Sequence, residues 1–526
     1  MTEDEYILAG LLVILVVLVG RLLAPRLRLP DAVVLVLLGF AVSFLPGMRG
    51  LHVSPEVVLL VFLPPLIYNA AFFSSPREMR AEARPIVTLA VGMTLMTAFA
   101  VAAVTFMLLP NTDWPAAIAL GAAVAPTDAV AASAVLRRVG APRRVVTILE
   151  GESLINDGVA LTLFSLAITA MTAELTFGDS LLELVKVVLG GVAFGLVIAK
   201  LVMWSRGRLH DGNTQLVVSL VTPFVAYIPA ELLGFSGVLS AVVAGFLLGT
   251  RGEGILPPRV RVTGRTVWQG LVMLLESILF VLLGLQLHEV LDEVVGRSMA
   301  ELAVTSVAVI GTAVAFRLLW EVVVTPVARH LPDRLRLDPG PIRHRIIIGW
   351  SGMRGAISLA IALSLPLTIG DAPFADRNVL IFLAAGVVLA TLVGQGMTLP
   401  LVLRRLRITQ DSRARHEIAL AEVAMGRAAL TRIDELLADD QVDSLAAETY
   451  RQMYKLRVRQ SRAMLEMTGG DRSALHHVKG TVFLKHELAA AQRAALSKLY
   501  RKGEISHEVY QALQRELDLQ EPHRPR

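Results

Sequence analysis

The sequence predicts an all-α polytopic membrane protein of about thirteen transmembrane helices, two of them broken, followed by a helical cytosolic tail. Three observations carry this expectation. Of the 526 residues, 54% are hydrophobic and 18% charged, with a mean hydropathy of +0.62, a balance that belongs to membrane-embedded chains. Apolar runs close to the length that crosses about 30 Å of hydrocarbon recur until residue 407. The arginines between those runs gather in alternate loops, as the positive-inside rule requires.

In chain order the runs lie near Tyr6–Leu23, Asp31–Leu45, Pro55–Phe73, Pro85–Leu109, Pro115–Leu136, Val145–Met171 and Leu181–Trp204. The remainder lie near Thr214–Ala230, Phe235–Leu248, Val267–Leu287, Ala300–Ala328, Ile346–Leu367 and Val379–Leu403. The amino end, MTEDEY, lacks the basic region of a cleavable signal peptide, so the first run reads as a retained span. One set of loops carries Arg26 and Arg28, Arg77 to Arg84, Arg137 to Arg144, Arg206 and Arg208, Arg251 to Arg265, Arg329 to Arg345, and Arg404 to Arg407. The alternate loops hold Arg49, Arg297 and Arg377 beside acids such as Glu174 and Asp292. This places the amino end outside and the carboxyl end in the cytosol of an inner or plasma membrane, which demands an odd number of spans.

Residues 1–407 form the expected membrane domain and 408–526 the tail. In the tail, stretches such as Ile418–Leu437 and Val482–Leu499 space Leu, Ile, Val and Ala among charged residues at helical intervals. MTGGD, at 467–471, reads as a break. His476 and His477 are adjacent and share no helix face, so they read as solvated surface rather than a metal site. The chain has no cysteine, which excludes disulfides and thiolate chemistry, and its formal net charge is +5. Because the arginines sit at loop ends rather than on one soluble face, the basic balance implies no nucleic-acid partner. No cofactor is implied.

Against this apolar background, EGESLINDG at 150–158 stands out. At about 100° per residue, Glu150, Ser153 and Asp157 fall on one side of the sixth span, with Glu152 and Asn156 beside them. Ionisable groups at bilayer depth are costly and mark ion or proton pathways or paired charges. The fifth span contains APTDA at 125–129, where Pro126 removes an amide donor and Thr127 and Asp128 add oxygens beside the interruption. Depth counting puts Asp128 and Asp157 at about the same level. The twelfth span opens with GWSGMRGA at 349–356, a second interruption that carries Arg354; the alternative for Arg354 is an arginine reaching back to the cytosolic surface. If spans one to six repeat as eight to thirteen, the two interrupted spans correspond, as in inverted-repeat carriers with crossed, broken helices. Arg317, deep in the eleventh span, needs a buried anion, for which Glu152 is the best candidate. Glu276, in the tenth span, has no assigned partner, nor does Glu150.

EGESLINDG, APTDAVAA, FLPPLIYNAAF, the arginine of AFRLLW and SGMRGAISLA together resemble the monovalent cation/proton antiporters, which include bacterial sodium/proton antiporters and animal sodium/hydrogen exchangers. The resemblance runs in order across nearly the whole membrane region. It implies a homodimer with separate dimerisation and ion-transporting bundles. It also implies that Asp157, Ser153, Asp128 and a Thr127 oxygen contact a monovalent cation, that Asn156 supports the site, and that Glu152 and Arg317 form a structural ion pair. An Asn followed by Asp in the sixth span is associated with electroneutral exchange. Two positions depart from the family pattern: Asn69 replaces the usual acid of the third span, and Ala129 replaces the proline that commonly follows the fifth-span aspartate.

The function expected from these residues is exchange of Na+ or Li+ for H+, with K+ or another proton-coupled solute on the same scaffold as the alternative. Hard oxygen donors suit alkali cations, and a carboxylate that burial and neighbouring charge push in opposite directions can titrate near neutral pH. A membrane receptor has no need of two broken spans with facing acids. An intramembrane hydrolase lacks its motifs, since GESLIND is not a G-x-S-x-G elbow and no histidine lies at depth.

Overall fold

The structure is a computed structural model. It describes residues 3–27, 29–45, 54–110, 112–172, 177–209, 211–251, 258–294, 299–327, 338, 340–369, 372–408, 412–439, 441–466, 487–488, 490–502 and isolated positions to 517. The chain divides into two compact units, Met1–Gln410 and Asp411–Arg526.

Among the described residues of the first unit, nine helices are long and apolar enough to cross a membrane: Leu8–Leu27, Pro55–Phe72, Ala83–Leu108, Arg143–Met171, Val185–Arg206, Gly212–Leu232, Val260–His288, Ala300–Val327 and Arg377–Arg405. The four other expected crossings coincide with the short helices Asp31–Val42 and Gly237–Arg251 and with two interrupted segments. One runs through Trp114–Val124 and Ala129–Val139, the other through Ile342–Trp350 and Ala356–Leu363. The only strands among the described residues, Thr368–Ile369 and Ala372–Pro373, pair as a minimal antiparallel hairpin after the second interrupted segment; the sequence pattern did not predict it. Loop residues Arg28, Arg49, Glu174, Arg297, Arg329, Arg334 and Arg336 lie outside the described residues.

Proline accounts for two of the three π-helical departures from regular helix among the described residues; nothing in the sequence around the third, Thr88–Met93, explains it. Wide π-turns occupy Val58–Phe62 and Trp320–Val324, immediately before Pro64–Pro65 and Pro326. A proline cannot donate to the carbonyl four residues back, and the wider turn re-registers the ladder. The Pro258–Val294 helix is longer than the expected span, at 37 residues or about 55 Å. Its first turns hold Arg259, Arg261 and Arg265, which continue the helix beyond the apolar run. Large hydrophobic side chains such as Leu11, Leu15, Leu18, Val197 and Leu201 are exposed on outward helix faces, the surface that hydrocarbon covers in a membrane-embedded chain.

Close helix approach relies on glycine. The Asp31–Val42 and Pro258–Val294 helices meet at Gly39 and Gly284, where an added Cβ collides with the carbonyl of Val281 or of Val36, respectively. Small residues at such crossings let backbones touch without hydrophobic drive from the solvent.

In the second unit, Ser412–Ala438 and Ser444–Glu466 form a helical hairpin. Gly426 lies against the Val458 side chain, and Ser461 donates to Glu422 Oε2 at 2.6 Å. The expected break at 467–471, His476, His477 and the start of the 482–499 stretch lie outside the described residues.

Gly284→Ala is expected to cost about 1–3 kcal/mol through overpacking and to lower the unfolding midpoint of the detergent-solubilised protein. Gly311→Ala, whose Cβ meets no atom within 4 Å, is the control that leaves the midpoint unchanged or slightly raises it, since Ala is the better helix former.

Candidate functional site

The two interrupted segments meet at their breaks. The first half-helix stops at Val124, and residues 125–128 run irregularly past Pro126 before Ala129 restarts the helix. The Asp128 amide then donates to the Met353 carbonyl at 2.7 Å, joining the first break to the second. Ser358 donates to the Pro126 carbonyl at 3.3 Å. Gly355 permits the approach, because a Cβ there strikes the Asp128 carboxylate.

Arg354 is only 1% exposed, so it does not reach for the surface. Its guanidinium donates to three main-chain carbonyls: Val124 at 3.0 Å, Gly352 at 2.6 Å and Ala313 at 3.0 Å. A helix ends with unpaired carbonyls and partial negative charge. Arg354 answers both where the first half-helix stops, and its own amide is held by Thr391 Oγ1 at 3.1 Å.

The Arg143–Thr172 helix distributes its polar residues unequally. Glu150, nearest the arginine-rich end, pairs with Arg137 at 2.7 Å on the surface. Glu152 is 0% exposed and takes both Arg317 terminal nitrogens, at 2.5 and 2.8 Å. Arg317 also donates from Nε to the Ile348 carbonyl at 3.2 Å and contacts Met93 Sδ at 3.7 Å. A Cβ at Gly352 collides with the Arg317 side chain, so the second break leaves the space that the arginine fills.

Thr127 belongs to this pair. Its hydroxyl donates to Glu152 Oε1 at 3.0 Å and accepts from Asn156 Nδ2 at 3.2 Å and from Arg317 Nη1 at 3.3 Å. A hydroxyl has one proton and two lone pairs, so the Thr127 side-chain oxygen is saturated by these three partners. Asn156 is 0% exposed, and its Oδ1 has no hydrogen-bond partner among the described residues. Ser153 accepts the Ala129 amide at 3.3 Å, which caps the restarted helix and leaves the hydroxyl proton and a lone pair available.

Asp157 differs from all of these. It is 6% exposed and lies within electrostatic reach of Asp128 and Glu152, but its carboxylate makes no hydrogen bond or ion pair among the described residues. One turn further along its helix, Leu161, Thr162 and Ser165 line a cavity of ≈ 500 Å³ that also takes in Tyr227 and Glu231. Glu276 is half-buried on the Pro258–Val294 helix, within reach of Asp128 and Arg21. Arg21 bonds to Asp31 at 2.9 Å and Ser277 at 3.4 Å. Asn69 is half-buried on the Pro55–Phe72 helix. Among the described residues no cluster of three His, Asp or Glu forms a metal cage.

Sequence reasoning missed Glu321. It is 2% exposed, one turn beyond Arg317, and lines a small cavity with His344 and Arg345. The signal was present: an acid four residues after an arginine shares its helix face.

The model of the family described as sodium/hydrogen exchanger, transmembrane, matches residues 12–405. The chain belongs to the sodium/hydrogen exchanger family. The exchanger is 34% identical over 539 residues to an uncharacterized Na+/H+ exchanger of Mycobacterium tuberculosis, across 98% of this chain and 97% of that one. It is 30% identical to an uncharacterized Na+/H+ exchanger of Escherichia coli K12, across 90% of each chain. Among solved structures, the sodium proton antiporter MjNhaP1 from Methanocaldococcus jannaschii matches with a TM-score of 0.59 at 18% identity, covering 76% of this chain and 99% of that one. At that identity the likeness shows the fold, which is that of an all-α polytopic antiporter.

Removing one partner from a buried ion pair strands the other. Glu152→Gln is therefore expected to cost the exchanger about 3–5 kcal/mol, read as lower yield and an earlier unfolding midpoint. Glu150→Gln, at a surface pair, should stay within about 1 kcal/mol. Equal midpoints for the two variants contradict the assignment of Glu152 as a structural charge.

Proposed function

We propose that the exchanger moves Na+ or Li+ against H+ across the cytoplasmic membrane, one for one, through competition of cation and proton for Asp157 and Asp128. The observation that carries this reading is the division of labour among the buried acids. Arg317 balances Glu152, whereas Asp157, beside Asp128, is left without a protein hydrogen bond among the described residues. A buried carboxylate without a protein partner is a site for a mobile one.

In this reading the cation is held by the Asp157 and Asp128 carboxylates, the Ser153 hydroxyl and the Thr127 carbonyl, all hard oxygens. Asn156 orients Thr127 and offers Oδ1 from the same wall. Coupling follows from competition: a bare Asp157 carboxylate is costly inside the bilayer, and a proton on its oxygens removes the charge that holds the cation, so the two exclude one another. The bundle therefore crosses when loaded with one or the other. Electroneutrality rests on the resemblance, in which neutral Asn156 precedes Asp157. The cavity beyond Leu161 supplies a route from the face opposite the arginine-rich loops, and Arg354 keeps the broken helices rigid while the bundle moves. A homodimer with its amino ends outside and its tails cytosolic completes the proposal.

The alternative reading is a broader selectivity that includes K+. A Bacillus subtilis relative, 28% identical across 92% of this chain and 73% of its own length, is named a sodium, potassium, lithium and rubidium/H+ antiporter. Asn69, neutral where the family pattern has an acid, is the position in this chain that bears on cation choice.

In everted vesicles carrying an imposed pH gradient, Na+ or Li+ should collapse the gradient, with K+ testing the broader selectivity. No response to any of the three at any pH between about 6 and 9 overturns the reading. Asp157→Asn is expected to abolish the response while the protein still folds; retained exchange removes Asp157 from the mechanism.

A further inference from the structure

The Phe177–Arg206 helix ends on a buried charge that makes none of the contacts of the Asp157 network. Arg206 is 1% exposed, and its Nε, Nη1 and Nη2 have no hydrogen-bond partner among the described residues. None of those residues forms an ion pair with it. A guanidinium stays protonated at every working pH, so this positive charge is permanent, and no acid among the described residues balances it.

Other unsatisfied groups gather around it. Tyr68 is 0% exposed; its hydroxyl makes no formed hydrogen bond among the described residues but stands within electrostatic and hydrogen-bonding reach of Arg206. The Tyr68 ring packs on Trp268 at 5.4 Å, and the Trp268 indole N–H donates to Ser219 Oγ at 3.0 Å. One turn before Ser219, Gln215 is 2% exposed. Its Nε2 donates to the Leu209 carbonyl at 2.7 Å, and its Oε1 is unpartnered. The Leu209 amide in turn donates to the Arg206 carbonyl at 3.2 Å. The contacts thus close a ring from Arg206 through Tyr68, Trp268, Ser219 and Gln215 back to the Arg206 turn. Four separate helices contribute to it.

We propose that this ring encloses a binding site for one small inorganic anion of chloride size, held by the Arg206 guanidinium and the Tyr68 hydroxyl. Both are donors, and donors without acceptors around a fixed positive charge specify an anion. Water alone can complete the hydrogen bonds, but it leaves the charge unbalanced in a poorly polarisable surround. Enclosure argues for a small ion, since a lipid phosphate carrying two acyl chains does not fit where both ligands are covered. Gln215 Oε1 serves as acceptor for a water retained by the anion. The site stabilises the packing of the Pro55–Phe72, Phe177–Arg206, Gly212–Leu232 and Pro258–Val294 helices and does not depend on the exchange reading.

The test uses the purified full chain in detergent, at equal sodium concentration and ionic strength, in chloride, bromide, gluconate or phosphate. Halide at ~100 mM is expected to raise the unfolding midpoint by about 2 °C or more over gluconate. Arg206→Gln should lose that increment, and Tyr68→Phe should reduce it. Should Arg206→Gln fail to fold, bromide anomalous scattering from wild-type crystals decides, with a peak expected beside Arg206. Equal midpoints in halide and gluconate, an undiminished halide increment in Arg206→Gln, or no bromide peak overturns the proposal. A larger shift in phosphate than in chloride, or one produced only by anionic phospholipid, likewise overturns the small-anion assignment.

Discussion

Neutralisation of Glu152 by Arg317 is the constraint on which the rest of the membrane unit depends. A carboxylate at that depth is tolerated only with a charge opposite it, and the planar guanidinium fork suits two carboxylate oxygens at once. Having met Glu152, Arg317 still has donors to place, and it places them on Thr127 and the Ile348 carbonyl. One side chain thereby links the Arg143–Thr172 helix, its own helix and both interrupted segments. The pair does more than remove a penalty. It sets where the breaks lie relative to the helix that carries Asp157.

Irregular backbone inside a membrane poses the same difficulty in another form, since every amide and carbonyl released by a break needs a partner. The breaks meet this demand with fixed groups. Arg354 takes carbonyls from three places, Ser153 takes the Ala129 amide, Ser358 supplies the Pro126 carbonyl, and the Asp128 amide bonds across to Met353. The Asp157 carboxylate is used in none of these bonds. The polar groups at the breaks thus hold the fold, and the Asp157 carboxylate beside them takes no part in doing so, which is what the proposed ion site draws on.

Much of this was legible in sequence because cost leaves a mark. Charges, prolines and glycines survive inside apolar runs only for a reason, so EGESLINDG, APTDA and GWSGMRGA drew attention to the segments that the structure brings together. Other features were not legible. Saturation of the Thr127 hydroxyl depends on three partners that lie 25, 29 and 190 positions away. Arg354 satisfies backbone rather than an acid, and no side-chain pattern encodes a carbonyl acceptor. Glu150 was ambiguous because its partner, Arg137, belongs to the preceding helix. Arg206 resembled any loop-end arginine of the positive-inside set, and only burial separates it from its neighbours. The length of the Pro258–Val294 helix also escaped a hydropathy reading, since arginines end an apolar run without ending a helix.

Competition between cation and proton at Asp157 is tested most directly by proton release from purified exchanger when Na+ is added in weakly buffered detergent solution. The account predicts a saturable release that accompanies cation binding, apparent cation affinity that weakens as pH falls, and loss of both in Asp157→Asn. Sodium binding with no proton released at any pH would contradict it.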